Sequence, residues 1–121
     1  MKSMRRTLIK SKIQNAVVTE AQLDYEGSLG IDVRLLRAAD MMPYEKVHIY
    51  NVTNGERFST YLIEEAEGSG KVAIYGAAAH KANPGDCIII VSFALFEEDE
   101  IPGFRPKIVI AGPDNVIKSI R

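Results

Sequence analysis

The chain has 121 residues, 46% of them hydrophobic and 26% charged, with 15 basic against 16 acidic side chains and a formal net charge of -1. That length suits one domain with a single core and no covalent staples. The near-neutral balance argues against a nucleic-acid partner, since phosphate binding rests on an excess of Lys and Arg.

In chain order, the local basic excess "MKSMRR" reads as a solvated arm, and lysines interrupt "LIKSKI", so no signal-peptide core is predicted. Strands are predicted at 6–13 and 15–19. The stretch "DYEGSLGID", 24–32, is too rich in glycine for a good strand interior and reads as a turn presenting Ser28. Asp32 then serves as N-cap of a helix over "VRLLRAAD", in which Val33, Leu36 and Ala39 share a face. Residues 46–65, "KVHIYNVTNGERFSTYLIEE", predict a hairpin in which Asn54-Gly55 forms a type I′ turn. In its second strand, alternation puts Arg57, Ser59, Tyr61 and Ile63 on one face, with Phe58, Thr60 and Leu62 on the other. That pattern fits an ordinary outward face or a site on a barrel wall.

A strand at 71–75 follows, then a helical turn after Gly76 in "AAAHKA". Strands are predicted at 87–96 and 105–111, with a solvated loop at 97–103. The ending "NVIKSIR" reads as a loose tail or a short partner-binding strand. Short strands punctuated by Gly and Pro turns indicate a mainly β barrel or sandwich. The longest apolar run, "CIIIVSFALF", is ten residues and far short of a membrane span. A cytoplasmic protein with no membrane partner is expected.

Several chemistries fail on their residues. The single cysteine, Cys87, cannot form an intrachain disulfide and reads as a buried structural thiol. His48 and His80 lack partners at ligand spacing, so no metal is expected. A nucleophile elbow needs Gly two residues before the serine, and Glu26 stands there. "GSGK" at 68–71 lacks the leading glycine of a P-loop and the Ser or Thr after its lysine. Gly27-Ser28 keeps one possibility open. Glycine has no Cβ to block attack of the following hydroxyl on its carbonyl, and it tolerates the strained backbone such an attack needs. The resulting ester, opened by β-elimination and then hydrolysed, leaves a ketone-bearing terminus. Most Gly-Ser dipeptides are simply turns.

"RTLIKSKI", "VTEAQLDYEGSLGID", "IYNVTNGERFSTY", "GAAAH" and "NPGDCIIIVSF" occur here in an order and spacing that resemble the pyruvoyl-dependent L-aspartate 1-decarboxylases. The resemblance runs over roughly residues 5 to 111. It implies a small six-stranded double-psi β-barrel with one or two short helices, assembled as a homotetramer with sites between subunits. It also implies a single domain, 1–121, that cleaves itself between Gly27 and Ser28 into 1–27 and 28–121, with Ser28 becoming the pyruvoyl cofactor. The implied reaction converts L-aspartate to β-alanine and carbon dioxide through a Schiff base, in the supply of pantothenate and coenzyme A. The pyruvoyl group there fills the electron-sink role of pyridoxal phosphate.

By the same resemblance Tyr61 matches the proton donor, and Arg57 and Lys12 match the cations that hold substrate carboxylates. Thr60 matches a threonine needed for processing. Tyr25 and the backbone of Gly76, Ala77 and Ala78 match the lining around the pyruvoyl group. Tyr75 stands where many members have an asparagine that hydrogen-bonds near the cleavage-site carbonyl. Gln14 replaces a frequent histidine and Tyr50 a frequent tryptophan. Some members need an activating protein for cleavage. An uncleaved, catalytically silent barrel acting as a binding or assembly module is the alternative reading.

Overall fold

Two strands are predicted near the start, but Arg5–Val17 forms one long strand, β1. Asn15 takes φ 64°, a left-handed conformation that asparagine tolerates. The pairing register slips between Ile13 and Ala16 without ending the strand, as at a bulge. The computed structural model describes residues 4–121, so the first three residues of the basic stretch lie outside the described residues. Glu20–Gln22 (β2), Ser28–Asp32 (β3), Lys46–Asn51 (β4), Arg57–Glu65 (β5), Val72–Tyr75 (β6), Cys87–Glu97 (β7), Lys107–Ala111 (β8) and Ile117–Ile120 (β9) complete the strands. The ending forms a short strand rather than a loose tail: β9 pairs with β8 of its own chain, Val109 opposite Ile120, at the edge of the sheet.

The hydrogen-bonded order is β2-β6-β3-β5-β4-β7-β1-β8-β9. The six strands from β6 to β1 form a curled wall. Beyond β1 the chain runs into Thr19, whose N–H donates to the Val72 carbonyl at 2.8 Å, while Thr19 Oγ1 accepts from Val72 N–H at 3.0 Å. These bonds bring the end of β1 to the start of β6 and close the wall into a barrel. Asn115 ties the same seam, donating from Nδ2 to the carbonyls of Val17 and Gly70.

Inward side chains from every wall strand meet in one core, including Ile13, Leu29, Ile49, Leu62, Ile74 and Ile90, none of them measurably exposed. The two-faced reading of β5 holds. Leu62 lies in the core with Phe58 packed against it, whereas Arg57 and Ser59 are exposed and Tyr61 and Ile63 half-buried. The hairpin forms as expected, with Tyr50 opposite Arg57, but its turn differs. Residues 52–56 make a longer loop in which Gly55 (φ 79°) has positive φ and Asn54 does not. The Asn51 side chain organises it instead, accepting from Thr53 N–H at 3.0 Å and Asn54 N–H at 3.3 Å, while its Nδ2 donates to Asp86 at 2.9 Å. Cys87 opens β7 on the outer face and is half-buried rather than buried. Among the described residues, no helix is long and apolar enough to cross a membrane.

Asp32 caps the helix as predicted, and more besides. The helix, Val33–Ala38 (α1), buries Leu36, and Ala39 just beyond it, as expected; Leu35 is buried as well, while Val33 is only half-buried. Asp32 itself is buried; one carboxylate oxygen accepts from Arg34 N–H at 2.9 Å and Gly68 N–H at 3.2 Å, the other from Gly70 N–H at 2.9 Å. Burial is the largest single influence and pushes the carboxyl up. The three backbone donors, with the Arg34 charge, outweigh it and hold Asp32 below the usual aspartate value. A depressed folded-state value stabilises the fold above the unfolded value, and that contribution disappears as pH falls through the folded one. Asp32→Ala is therefore expected to lower the unfolding free energy by about 2 kcal/mol at neutral pH, through a lost cap and unpaired N–H groups. Urea titrations should show the difference from wild type shrinking below about pH 4.

Candidate active site

β3 carries Ser28 into the wall between two neighbours. It runs antiparallel to β6, with Ser28 opposite Tyr75, and parallel to β5, with Leu29 beside Leu62. Leu29 and Leu62 both point into the core, so the residues one position earlier, Ser28 and Tyr61, share the outer face. Tyr75, Ser28 and Tyr61 thus fall in one row across three strands. An open cleft of about 600 Å³ lies over them, lined by Tyr25, Glu26, Ser28, Tyr61, Lys71 and Tyr75 among others. Ser28 is 3% exposed, and its hydroxyl donates to the Glu26 carbonyl at 3.4 Å.

The backbone at this point is set by Gly76. Gly76 has φ +73°, and a Cβ there would stand 2.5 Å from Gly27 Cα, 2.6 Å from Gly27 N and 2.9 Å from the Tyr25 carbonyl oxygen. No other residue type permits that approach. A Cβ on Gly27 itself would meet nothing closer than the Tyr75 carbonyl oxygen at 3.8 Å, so the close contact depends on Gly76. The chain from Gly76 to His80 forms a 3-10 turn, with Gly76 buried, Ala77 exposed and Ala78 half-buried.

The other residues singled out in the sequence divide into two groups. Tyr25 joins the row, its ring edge-on to Tyr75 with centroids 5.5 Å apart. Thr60 sits beside Tyr61 but on the inner side of β5, paired with Val47 and half-buried. Arg57 and Lys12 are not brought to Ser28 within the chain. Arg57 lies four residues before Tyr61, about 13 Å along the strand, with its guanidinium 4.5 Å from the centre of the Tyr50 ring. Lys12 occupies β1, paired with Val91, which is in turn opposite His48 of β4. Both cations share the outer sheet face with Tyr61, but at a distance. His48 packs edge-on to Phe93 at 5.3 Å, and the described residues contain no cluster of groups able to hold a metal.

The structure adds charged residues that no local motif announced. The Tyr75 hydroxyl donates to Glu65 Oε2 at 3.0 Å rather than reaching toward Gly27. Lys71 Nζ lies 3.2 Å from Glu20 and 3.5 Å from Glu65, and Gln22 donates to Glu20 at 2.6 Å. Burial, and then the bond to Glu65, push the Tyr75 phenol up. The bond to Glu20, followed by the Glu65 charge, does the same for Lys71. Glu20 is held down by Gln22 and then by Lys71. Period two along β5 carries part of this signal, because Glu65 shares the parity of Tyr61. The β2–β6 pairing, with Glu20 opposite Ala73, that places Glu20 near Lys71 is non-local.

The aspartate decarboxylase family model matches residues 4–118. A protein of Ralstonia pickettii (strain 12J) is 51% identical over 118 residues, covering 98% of each chain. One of Ralstonia nicotianae (strain ATCC BAA-1114 / GMI1000) is 52% identical with the same coverage. A third, from Syntrophus aciditrophicus (strain SB), is 50% identical over 115 residues, covering 95% of this chain and 99% of its own. All three bear the name aspartate 1-decarboxylase. Family match and near full-length identity agree with the residues gathered around Ser28: the chain belongs to the aspartate decarboxylase family.

Proposed function

We propose that this chain cleaves itself between Gly27 and Ser28 and then decarboxylates L-aspartate to β-alanine, feeding pantothenate synthesis. The observation that carries the reading is Ser28: a buried serine lining a cleft, preceded by a glycine against which Gly76 packs closely. In the cleavage, Ser28 Oγ attacks the Gly27 carbonyl and the C–N bond breaks, giving an ester and a free amine. β-Elimination expels the Gly27 carboxylate and leaves a dehydroalanine. Water then adds and ammonia departs, so residue 28 ends as a pyruvoyl group. Gly76, packed against Gly27, holds the reacting peptide, and Thr60 assists from the inner side of β5.

The residues around position 28 fit such a group, because the cleft opens directly over the Ser28 side chain and tyrosines flank it. The pyruvoyl carbonyl supplies an electron sink for loss of the substrate's α-carboxylate. Tyr61, one strand away on the same face, is the proton donor to the carbon left behind. The backbone of Gly76, Ala77 and Ala78 lines the cofactor end together with Tyr25.

Lys71 is the one cation lining the cleft among the described residues, and it is engaged by Glu20 and Glu65. A dicarboxylate substrate needs free positive charge, for which a planar Arg fork is well suited. The remoteness of Arg57 and Lys12 from Ser28 within one chain supports a homotetramer in which a neighbouring copy supplies these cations.

Intact-mass measurement of the purified chain is expected to show fragments 1–27 and 28–121, the larger with a carbonyl-reactive terminus. Incubation with L-aspartate should yield β-alanine, and Ser28→Ala should stay whole and inactive. Complete cleavage without β-alanine would contradict the activity. A single full-length species without activity would instead support the silent barrel. Cleavage seen in cells but not in the purified chain would assign the step to an activating protein. For the shared site, Ser28→Ala and Arg57→Ala chains, each inactive alone, should regain activity when co-expressed. Failure of mixed oligomers to do so would place both residues in one chain's site.

A further inference from the structure

Tyr75 is more than a lining residue, because its side chain is fixed at both ends. Its ring contacts Tyr25, three residues ahead of Ser28, and its hydroxyl is bonded to Glu65. Glu65 is itself mostly covered, with 17% side-chain exposure, and Lys71 steadies it from the other side. Between carboxylate and ring lies Gly30. A Cβ there would sit 2.2 Å from Glu65 Oε2 and 3.0 Å from Tyr75 Cε2. Gly30 is not in the left-handed region, so its backbone does not demand glycine; the space does. Residues on three adjacent strands, β3, β5 and β6, therefore specify one arrangement together.

The segment this arrangement supports is otherwise exposed: Leu23 is 54% and Tyr25 61% accessible. Its other anchors are the Gly76 contact and the bond from Ser28 to Glu26. A half-buried ring with no polar anchor can swing, whereas a hydrogen bond to a carboxylate fixes it more firmly than one between neutral groups.

We propose that Glu65 is a positioning residue for the Gly27–Ser28 bond: its carboxylate holds Tyr75, Tyr75 holds Tyr25, and Gly30 leaves room for both. The inference rests on the self-cleavage proposed above. Glu65 touches no reacting atom and acts through Tyr75.

The test is a time course of cleavage by intact mass after cell-free synthesis of the full chain. Glu65→Ala and the near-isosteric Tyr75→Phe should each slow cleavage about tenfold, the effect of losing one charge-assisted hydrogen bond. The double variant should be no slower than either single one, because both remove the same interaction. Glu65→Gln keeps an acceptor oxygen but not the charge, so it should fall between, about threefold slower than wild type. Gly30→Ala should slow the wild-type chain yet add nothing in the Glu65→Ala background. Equal rates for Glu65→Ala and wild type, or independent additive losses at Glu65 and Tyr75, would overturn the proposal alone. A wild-type chain that never cleaves would overturn both it and the self-cleavage reading.

Discussion

The close approach of Gly76 to Gly27 is the constraint on which the site depends. It brings two backbones within a distance that any Cβ on Gly76 would forbid. It also settles how β3 enters the wall, because Ser28 pairs with Tyr75 immediately beside the contact. From that single pairing follow the row of Tyr75, Ser28 and Tyr61, the cleft above it and the burial of the serine. The barrel core supplies the stability, since Leu29 and Ile31 anchor the same strand from inside. Inner-face residues hold β3 in place, and outer-face residues line the cleft.

Much of the barrel was legible because its strands alternate. β4, β5 and β7 each carry an inward apolar series, and pairing them buries those faces. β3 escaped because "SLGID" is short, contains glycine and is buried along its whole length, so it shows no alternation. β2, of three residues, carries too little pattern to find, and the four-residue β9 too little to separate a strand from a tail. The Asn54-Gly55 pair suggested a tight turn, but the Asn51 side chain, with bonds to Asp86 and to its own loop, imposed a wider one. Asn15 bends β1 without breaking it, which composition cannot distinguish from a true break.

The site was legible in part, and by two different routes. Alternation in β5 grouped Arg57 with Tyr61 and set both apart from Thr60, as the structure bears out. The family resemblance drew attention to Gly27-Ser28, Tyr25, Tyr75 and Gly76, which the fold brings together. Neither route showed that the Tyr75 phenol is turned to Glu65, because that bond links β5 to β6 across the intervening β3. Nor did either explain Gly30, whose need for a missing side chain is visible only once its neighbours are in place.

The most direct test of this account is the fate of Gly76→Ala. The added methyl has no room beside Gly27, and φ of +73° disfavours it further. Because the core residues of β3 and β6 are untouched, the variant should still fold, as judged by circular dichroism, yet remain uncleaved by intact mass. A folded Gly76→Ala chain that splits between residues 27 and 28 at the wild-type rate would contradict the claim that this contact holds the reacting bond.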